Sequence, residues 1–448
     1  MPKKKTALTI EERLQQTLVP AEEQPYEVPE NWVWVRLKSV ASWGSGGTPS
    51  RKHEEYYNGD ILWIKTGELN NGWIYDTEEK ITDEGLKKSS AKLFPPYSVL
   101  IAMYGATIGK VAILGVPATT NQACACAVCN KSLLYMYLFY YCISQKNVFI
   151  EKGKGGAQPN ISQIILKQHP IPLPPLFEQQ RIVERIEELF AKLDEAKERL
   201  QEVADSFAVR KAAILHKAFT GELIGKQVTE LVPLENLVDL IKIGPFGSSL
   251  HESDYIENGI PLVNPKHIVQ QRIVPQSKIS ISDEKAEELS SYELKENDIV
   301  LGRRGEMGRC APISNREENW ICGTGSMIIR LKKEYDAKLY SLILGSQATV
   351  TYLENSAVGS TLKNLNEKIV RKIPVPQFSS EEQHEIVRLI DDLLARERAA
   401  QQATEQALAS IDLMKKSILA RAFRGELGTN KASEASALEL LKQVLAEG

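Results

Sequence analysis

Leu215-His216-Lys217-Ala218-Phe219-Thr220-Gly221-Glu222-Leu223 returns as Leu419-Ala420-Arg421-Ala422-Phe423-Arg424-Gly425-Glu426-Leu427, a shift of 204 residues (215 to 419). The same shift carries Glu178-Gln179-Gln180-Arg181-Ile182-Val183 onto Glu382-Gln383-His384-Glu385-Ile386-Val387. Just upstream, Ile171-Pro172-Leu173-Pro174 matches Ile373-Pro374-Val375-Pro376 at a shift of 202 (171 to 373), so a two-residue indel lies between. A duplication of this period means one structural unit used twice. The 448 residues are enough for two or three domains, each with its own core.

The shared ends of the two copies read as long helices. From Phe177 to His216 there is no proline or glycine. Apolar residues fall at Ile182, Ile186, Leu189, Leu193, Ala196, Leu200, Val203, Phe207 and Ile214, with Arg210 as the polar interruption. Alternating steps of four and three make a heptad seam, the pattern of a coiled coil. The second copy gives Ile386, Ile390, Leu393, then Glu397, Ala400, Thr404, Ala407, and again Ile411, Met414 and Ile418, a seam weakened in its middle. The two helices are therefore expected to pair with each other, as a rod of roughly 60 Å at 1.5 Å per residue. Proline-rich hinges precede both helices and are expected to fix a stiff exit. Gly221 and Gly425 suit helix stops, and Thr9-Ile10-Glu11-Glu12 suits a capping box opening a short helix. The stretch Leu438 to Leu445 is a further candidate helix.

The bodies ahead of these helices have mixed α/β character. Trp32-Val33-Trp34-Val35-Arg36-Leu37 and Ile61-Leu62-Trp63-Ile64 are rich in aromatic and β-branched residues. Val99-Leu100-Ile101-Ala102-Met103 and Ile299-Val300-Leu301-Gly302 read as buried strands, each running into a glycine-rich loop. The fold class expected is α+β: two tandem mixed α/β domains separated by two long helices that pair as an antiparallel coiled coil.

Composition narrows the function classes. No apolar run approaches the length of a membrane span, and Met1-Pro2-Lys3-Lys4-Lys5 has no apolar core behind it. A cytoplasmic, non-membrane protein is expected. The net charge of −3 is not that of a generic nucleic-acid binder, yet residues 31–170 hold 15 Lys/Arg against 10 Asp/Glu. Cys124, Cys126 and Cys129 invite a zinc reading, but a structural site wants four ligands. The alternative is a buried strand in which small thiols pack as hydrophobes, and no metal site is expected. Gly105-Ala106-Thr107-Ile108-Gly109-Lys110-Val111 falls one residue short of a phosphate-binding loop and lacks the following Ser or Thr. Leu93-Phe94-Pro95-Pro96-Tyr97 lacks the polar residue an amino-methyltransferase motif needs before its prolines. Trp43-Gly44-Ser45-Gly46-Gly47-Thr48-Pro49 lacks dinucleotide-binding spacing, and Pro49 would block a helix there. No catalytic residues are expected.

Taken together, these residues resemble the specificity subunits of type I DNA restriction-modification systems, over nearly the whole chain. The resemblance rests on the Pro172–Gln179 helix start and on the Ala-Phe-x-Gly-Glu-Leu helix exit that occurs twice. A second paired motif adds to it, Gly155-Gly156-Ala157-Gln158-Pro159-Asn160-Ile161-Ser162 with Gly359-Ser360-Thr361-Leu362-Lys363-Asn364-Leu365-Asn366. The second copy departs at Pro376-Gln377-Phe378-Ser379-Ser380-Glu381-Glu382-Gln383. The resemblance implies an N-terminal helical extension (1–24), a target recognition domain (25–174), a helical region (175–225), a second recognition domain (226–376), a second helical region (377–428) and a tail (429–448). It implies that each domain reads one half of a bipartite, non-palindromic site in double-stranded DNA. The helices would set the spacer and dock two methyltransferase subunits, joined by motor-nuclease subunits. This chain would bind no cofactor. The complex would use S-adenosylmethionine, and ATP and magnesium where the motor-nuclease is present. Two domains on a rod can engage half-sites about one helical turn, some 34 Å, apart. A protein-only scaffold, or a self-contained nuclease or methyltransferase, are the alternative readings.

Major-groove readout favours Arg or Lys toward guanine and Asn or Gln toward adenine. The loop Gly302–Arg309 offers Arg303, Arg304 and Arg309 for phosphate or guanine contacts. The first copy places Tyr104, Thr107 and Lys110 in the corresponding loop. Thr48 and Ser248, in paired glycine loops, suit phosphate oxygens. Lys65, Asn70, Asn71, Lys266 and His267 follow a matched strand in the two copies.

Overall fold

The computed structural model describes residues 9–153, 160–246, 249–356 and 364–447. The chain divides into two compact units, one built from Met1–Arg199 with Ala407–Gly448 and the other from Leu200–Gln406. The first unit thus takes in the start of the first long helix and the end of the second. The second unit takes in the complementary parts.

In the first unit a five-stranded sheet runs in the order Ala41–Ser45, Cys124–Cys129, Val99–Ala102, Val111–Leu114, Trp73–Ile74. A three-stranded sheet, Lys80–Ile81, Tyr57–Ile64, Thr119–Thr120, lies in the same unit. The second unit repeats the plan with Val238–Ile243, Ser326–Leu331, Asp298–Gly302 and Cys310–Pro312, and with Ser280–Ile281, Ile260–Val263 and Ile321–Cys322. Val99–Ala102 and Asp298–Gly302 are buried along their whole length. Hence they read as continuous apolar runs rather than as the alternation of a half-exposed strand. Asp298 is the exception, and its carboxylate is held by Arg330 across the ladder at 2.8 and 2.7 Å. Cys124 and Cys126 point into one core cluster while Cys129 borders another. Burial pushes the Cys126 and Cys129 thiols up to about 12, so they behave as small apolar side chains.

The proline hinges are not breaks. Pro170–Leu173 is a strand paired antiparallel with Val33–Arg36, and Pro374–Val375 pairs with Val232–Pro233. In a two-stranded ribbon the outward side of each strand asks for no donor, so proline is tolerated there. Locking follows from one side chain in each unit. Gln179 is fully buried. Its Nε2 donates to the carbonyls of Ser132 and Pro174 (2.9 and 3.0 Å), and its Oε1 accepts from the Leu134 N–H at 2.8 Å. Gln383 does the same, donating to Glu334 and Phe378 (2.9 and 3.0 Å) and accepting from Asp336 at 2.8 Å. Each glutamine therefore welds the first turn of a long helix to the body before it.

The long helices are Leu176–Phe219 and Ser380–Ala422, of 44 and 43 residues. Within the first unit Asp194 pairs with Lys415, and Lys197 with Asp412 at 3.7 Å. Numbers rise on one helix as they fall on the other, so the segments run antiparallel. Within the second unit Arg210 pairs with Glu397 at 3.0 Å and Lys226 with Glu382 at 2.7 Å, again with numbers rising against falling. The two charged interruptions of the heptad seams are thus each other's partners. Thr404 is also buried, its hydroxyl donating to the Ala400 carbonyl at 2.9 Å.

Four seam positions differ from expectation. Val203 and Met414 are exposed, at 40% and 44%, and so are Ala196 and Ala400. Half-buried Ala204 and Lys415 take the inward positions beside the first two. A strict heptad drifts by ~20° per repeat against a straight helix of 3.6 residues per turn. Steps of four at 200–204 and 411–415 absorb that drift. Lys415 fits because its ammonium lies over the Phe190 ring, 5.0 Å from its centre. Ile182, Ile186, Phe207, Ile386, Ile390 and Ile411 are buried, and Leu189, Leu193, Leu200, Ile214, Leu393 and Ile418 are half-buried.

Each helix exit packs into a body other than the one that precedes its helix. Ala422 and Phe423 join the core of the first body, where Phe423 packs edge-on against Tyr137 and Tyr141 at 5.2 and 5.0 Å. Ala218 joins the core of the second body. After Gly425 (φ +76°), the chain runs back along the first unit. There Arg181 grips Glu434 bidentately at 2.9 and 2.8 Å, and Asn430 and Trp32 both donate to Glu178 at 2.8 Å. Ala437 and Leu441 of the helix Ala437–Glu447 are buried in the same core. At the other end, Thr9 and Glu12 cap the helix Ile10–Thr17 reciprocally.

Candidate nucleic-acid interface

In both units the fully buried strand delivers a loop held in one backbone frame. Ile101 pairs with Val111 and Leu301 with Cys310, closing loops 102–110 and 302–309. The Ala102 N–H donates to the Lys110 carbonyl (2.9 Å) and the Gly302 N–H to the Arg309 carbonyl (2.8 Å). Gly105 and Gly109 (φ +62° and +74°) match Gly305 and Gly308 (φ +82° and +76°). A Cβ on Gly308 would meet Val350 at 2.5 Å, so glycine is required there for space as well as for φ. Ile108 and Met307 are buried and anchor the loops beneath.

Residues 155–159 and 359–363 of the second repeated motif lie outside the described residues, and its remaining ends, from Asn160 and from Asn364, close onto these loops. Tyr104 forms a bridge with Asn160 and Arg304 with Asn364. The Ile161 N–H donates to Met103 and the Leu365 N–H to Arg303, at 2.9 and 3.0 Å. A third segment joins from the sheet edge, the Met103 N–H donating to Ala123 and the Arg303 N–H to Gly325, both at 2.9 Å. The glycine loops sit on that segment too: the Gly47 N–H donates to Thr120 and the Gly244 N–H to Ser326, both at 2.9 Å. Thr48 and Gln122 are hydrogen-bonded at 2.5 Å. Each unit therefore gathers four separate stretches of chain at one edge. Gln122, Asn160 and Asn364 belong to this edge, and the sequence reading did not single out those side chains. The repetition of the 155–162 and 359–366 motif was the available signal.

One frame carries different side chains in the two units. The first presents exposed Tyr104, half-buried Thr107, whose hydroxyl donates to the Tyr104 carbonyl at 2.8 Å, and half-buried Lys110. The second presents exposed Arg304 and half-buried Arg309, the latter paired with Glu306. Lys110 and Arg309 occupy the same place in the frame, so each loop ends on a cation. Arginine and lysine side chains so placed can meet phosphates or guanine edges.

Other candidates stand elsewhere. Arg303 is buried, its Nε donating to the Leu365 carbonyl at 3.3 Å. Burial first, and then the Arg304 charge, lowers its pKa. It braces the loop from within rather than presenting a free fork. His267 is also interior, with Nδ1 2.8 Å from the Leu262 carbonyl. Burial lowers its pKa, and from the interior it organises the turn Asn264–His267. Lys65 lies between Glu78 and Glu79, both at 3.0 Å, and its hydrogen bonds to them raise its pKa. A phosphate would have to displace both carboxylates. Asn71 takes a left-handed turn (φ +61°), and its Oδ1 accepts from the Val111 N–H at 3.2 Å. Asn70, Lys266 and Thr48 are exposed. Ser248 lies outside the described residues.

Among the described residues no group of three or more His, Cys, Asp or Glu has the arrangement to hold a metal ion, and no helix is long and apolar enough to cross a membrane. Residues 29–205 and 235–408 match the model of the type I restriction modification DNA specificity domain. The chain is 25% identical to the specificity subunit of the type I restriction enzyme EcoKI of Escherichia coli K12, across 94% of this chain and 96% of that one. It is 28% identical to the MjaIX specificity subunit of Methanocaldococcus jannaschii, across 62% of this chain and 68% of that protein. The fold is similar to the crystal structure of the HsdS subunit from Thermoanaerobacter tengcongensis, with a TM-score of 0.63 at 20% identity, covering 90% of this chain and all of the other.

Proposed function

The chain belongs to the type I restriction modification DNA specificity family, and from that premise we propose that it reads a bipartite, non-palindromic DNA site, one half with each unit. The observation that carries this reading is the loop frame that recurs with different side chains. Tyr104, Thr107 and Lys110 stand on one copy, and Arg304 and Arg309 on the other. Equal backbones with unequal donors and acceptors suit two different half-sequences, because base identity is read by side-chain pattern. Exposed Asn70, Lys266 and Thr48 supply phosphate or groove contacts around them.

The chain acts as a recognition subunit and leaves the chemistry to others. The long helices set the spacer and dock two methyltransferase subunits, which motor-nuclease subunits join. Those partners bind S-adenosylmethionine, and ATP with magnesium where the motor-nuclease is present. The assembly works in the cytoplasm.

Single-molecule sequencing of DNA from cells expressing the chain with its methyltransferase, against cells lacking the chain, tests the proposal. A new methylated motif of two short defined halves around a fixed spacer is expected. If both proteins assemble and no motif is methylated, the reading gives way to a protein-only scaffold.

A further inference from the structure

Trp73, Tyr75, Tyr97 and Tyr135 form a surface cluster in the first unit, away from the loop edge. Trp73 and Tyr75 stack at 6.1 Å, Trp73 meets Tyr135 edge-on at 5.9 Å, and Tyr97 and Tyr135 are 5.0 Å apart. Tyr75 and Tyr97 are 63% and 56% exposed. Tyr97 also holds φ at +67°, which a bulky residue adopts only at a cost of ~1–3 kcal/mol. Trp73 and Tyr135 of this cluster line a cavity of about 290 Å³, together with Leu134 and Met136 and with Gln180, Val183 and Glu187 of the long helix. Beside the cavity, burial first, and then the charge and the hydrogen bond of the Glu187 carboxylate, raise the Tyr140 phenol to about 12.

Comparison with the second unit shows what this cavity lacks. The clamp glutamines fix the correspondence. Gln179 receives the Leu134 N–H and Gln383 the Asp336 N–H, so two residues on, Met136 corresponds to Lys338. Eight residues beyond each glutamine, Glu187 corresponds to Asp391. In the second unit Lys338 pairs with Asp391 at 2.6 Å. In the first unit methionine stands where that lysine would be. Among the described residues no lysine or arginine comes within ion-pair distance of Glu187. In element order the place of Trp73 is likewise taken by a cation, Arg272, in the second unit, each directly preceding a buried isoleucine (Ile74, Ile273). Among the described residues the first unit thus combines ring faces and a carboxylate here with no lysine or arginine paired to that carboxylate.

We propose that this cavity receives an arginine side chain presented by another polypeptide. Ring faces attract a guanidinium through their quadrupole, and the planar cation stacks on indole. Glu187 supplies the counter-charge, and Gln180 offers a carbonyl acceptor. The exposed rings of Tyr75 and Tyr97 extend the patch beyond a single side chain. That breadth fits a protein surface, where aromatic residues are enriched, and the carboxylate disfavours a phosphate backbone.

The test uses the full chain labelled with 5-fluorotryptophan, in which six tryptophans give six fluorine resonances and Trp73→Phe assigns the one of interest. Acetyl-Gly-Arg-Gly-amide is expected to shift the Trp73 resonance saturably, and the citrulline analogue, isosteric and neutral, is not. Glu187→Gln is expected to weaken the response about threefold, the scale of an exposed ion pair. Met136→Lys, which gives this unit the internal cation of the other, is expected to abolish it while the other five resonances stay in place. An equal response to citrulline, no saturable response to arginine, or a full response in Met136→Lys would each overturn the proposal.

Discussion

Replacing Gln383 with leucine removes a clamp whose strength can be worked from its geometry. The side chain is 1% exposed and makes three hydrogen bonds of 2.8–3.0 Å to backbone groups. Leucine has similar volume, so the cavity term is small. Three backbone groups, the Asp336 N–H and the Glu334 and Phe378 carbonyls, lose their partner. An interior group left unpaired costs about 1–3 kcal/mol. Taking the low end for each, since the hinge can admit water, the loss is about 3 kcal/mol, or ~10²-fold in the local opening equilibrium. Hydrogen exchange followed by mass spectrometry reads that equilibrium directly, segment by segment. Peptides spanning 332–340 in Gln383→Leu are expected to exchange ~10²-fold faster than in the parent, while peptides spanning 131–138 stay unchanged. Gln179→Leu is expected to reverse the pattern. Unaltered protection at 332–340 would refute the reasoning, because it would mean the helix start is held to its body by packing alone.

Phe423→Ala, near the end of the chain, is expected to destabilise the first body by about 3–5 kcal/mol, seen as faster exchange in peptides spanning 135–144. Protection there equal to the parent would show that Tyr137 and Tyr141 do not depend on this ring. His169, buried beside Lys152 at 3.1 Å, is held down to about 3, first by burial and then by that cation. Its unfolded value of about 6.5 is higher, so the unfolded chain binds the extra proton. The resulting stability is complete above pH 6.5 and is lost as pH falls from 6.5 toward 3. At pH 5 the loss is about 2 kcal/mol, and His169→Gln is expected to flatten the denaturation midpoint against pH over that range. For DNA, Lys110→Ala is expected to reduce the salt slope of binding by about one, whereas Glu306→Ala, by freeing Arg309, is expected to steepen it. Fluorescence anisotropy across a salt series on the methylated motif checks both.

The duplication, the two long helices and their caps were legible because they are local and periodic. A stretch from Phe177 to His216 without glycine or proline has few alternatives to a helix. The buried central strands were legible as well, since burial on both faces demands an unbroken apolar run. The candidate site was legible only as loops. Arg303 and Arg304 are adjacent and chemically identical, yet one is an internal brace and the other is exposed. The difference arises from Leu365, sixty-two residues away, whose carbonyl receives the Arg303 guanidinium.

By itself, then, the sequence determined that one plan is used twice, where the long helices and the buried central strands lie, and where the loops after those strands fall. Short-range backbone preferences and side-chain periodicity set all of these. The proline segments that the sequence marked as hinges proved to be strands. Tertiary structure alone decided which partners meet. Arg210 and Glu397, each a blemish on its own seam, become an ion pair. Phe423 completes the core of a body hundreds of residues earlier. Glu187 faces rings where Asp391 faces a lysine. Such pairings depend on where the chain returns in space, and residue spacing carries no record of that.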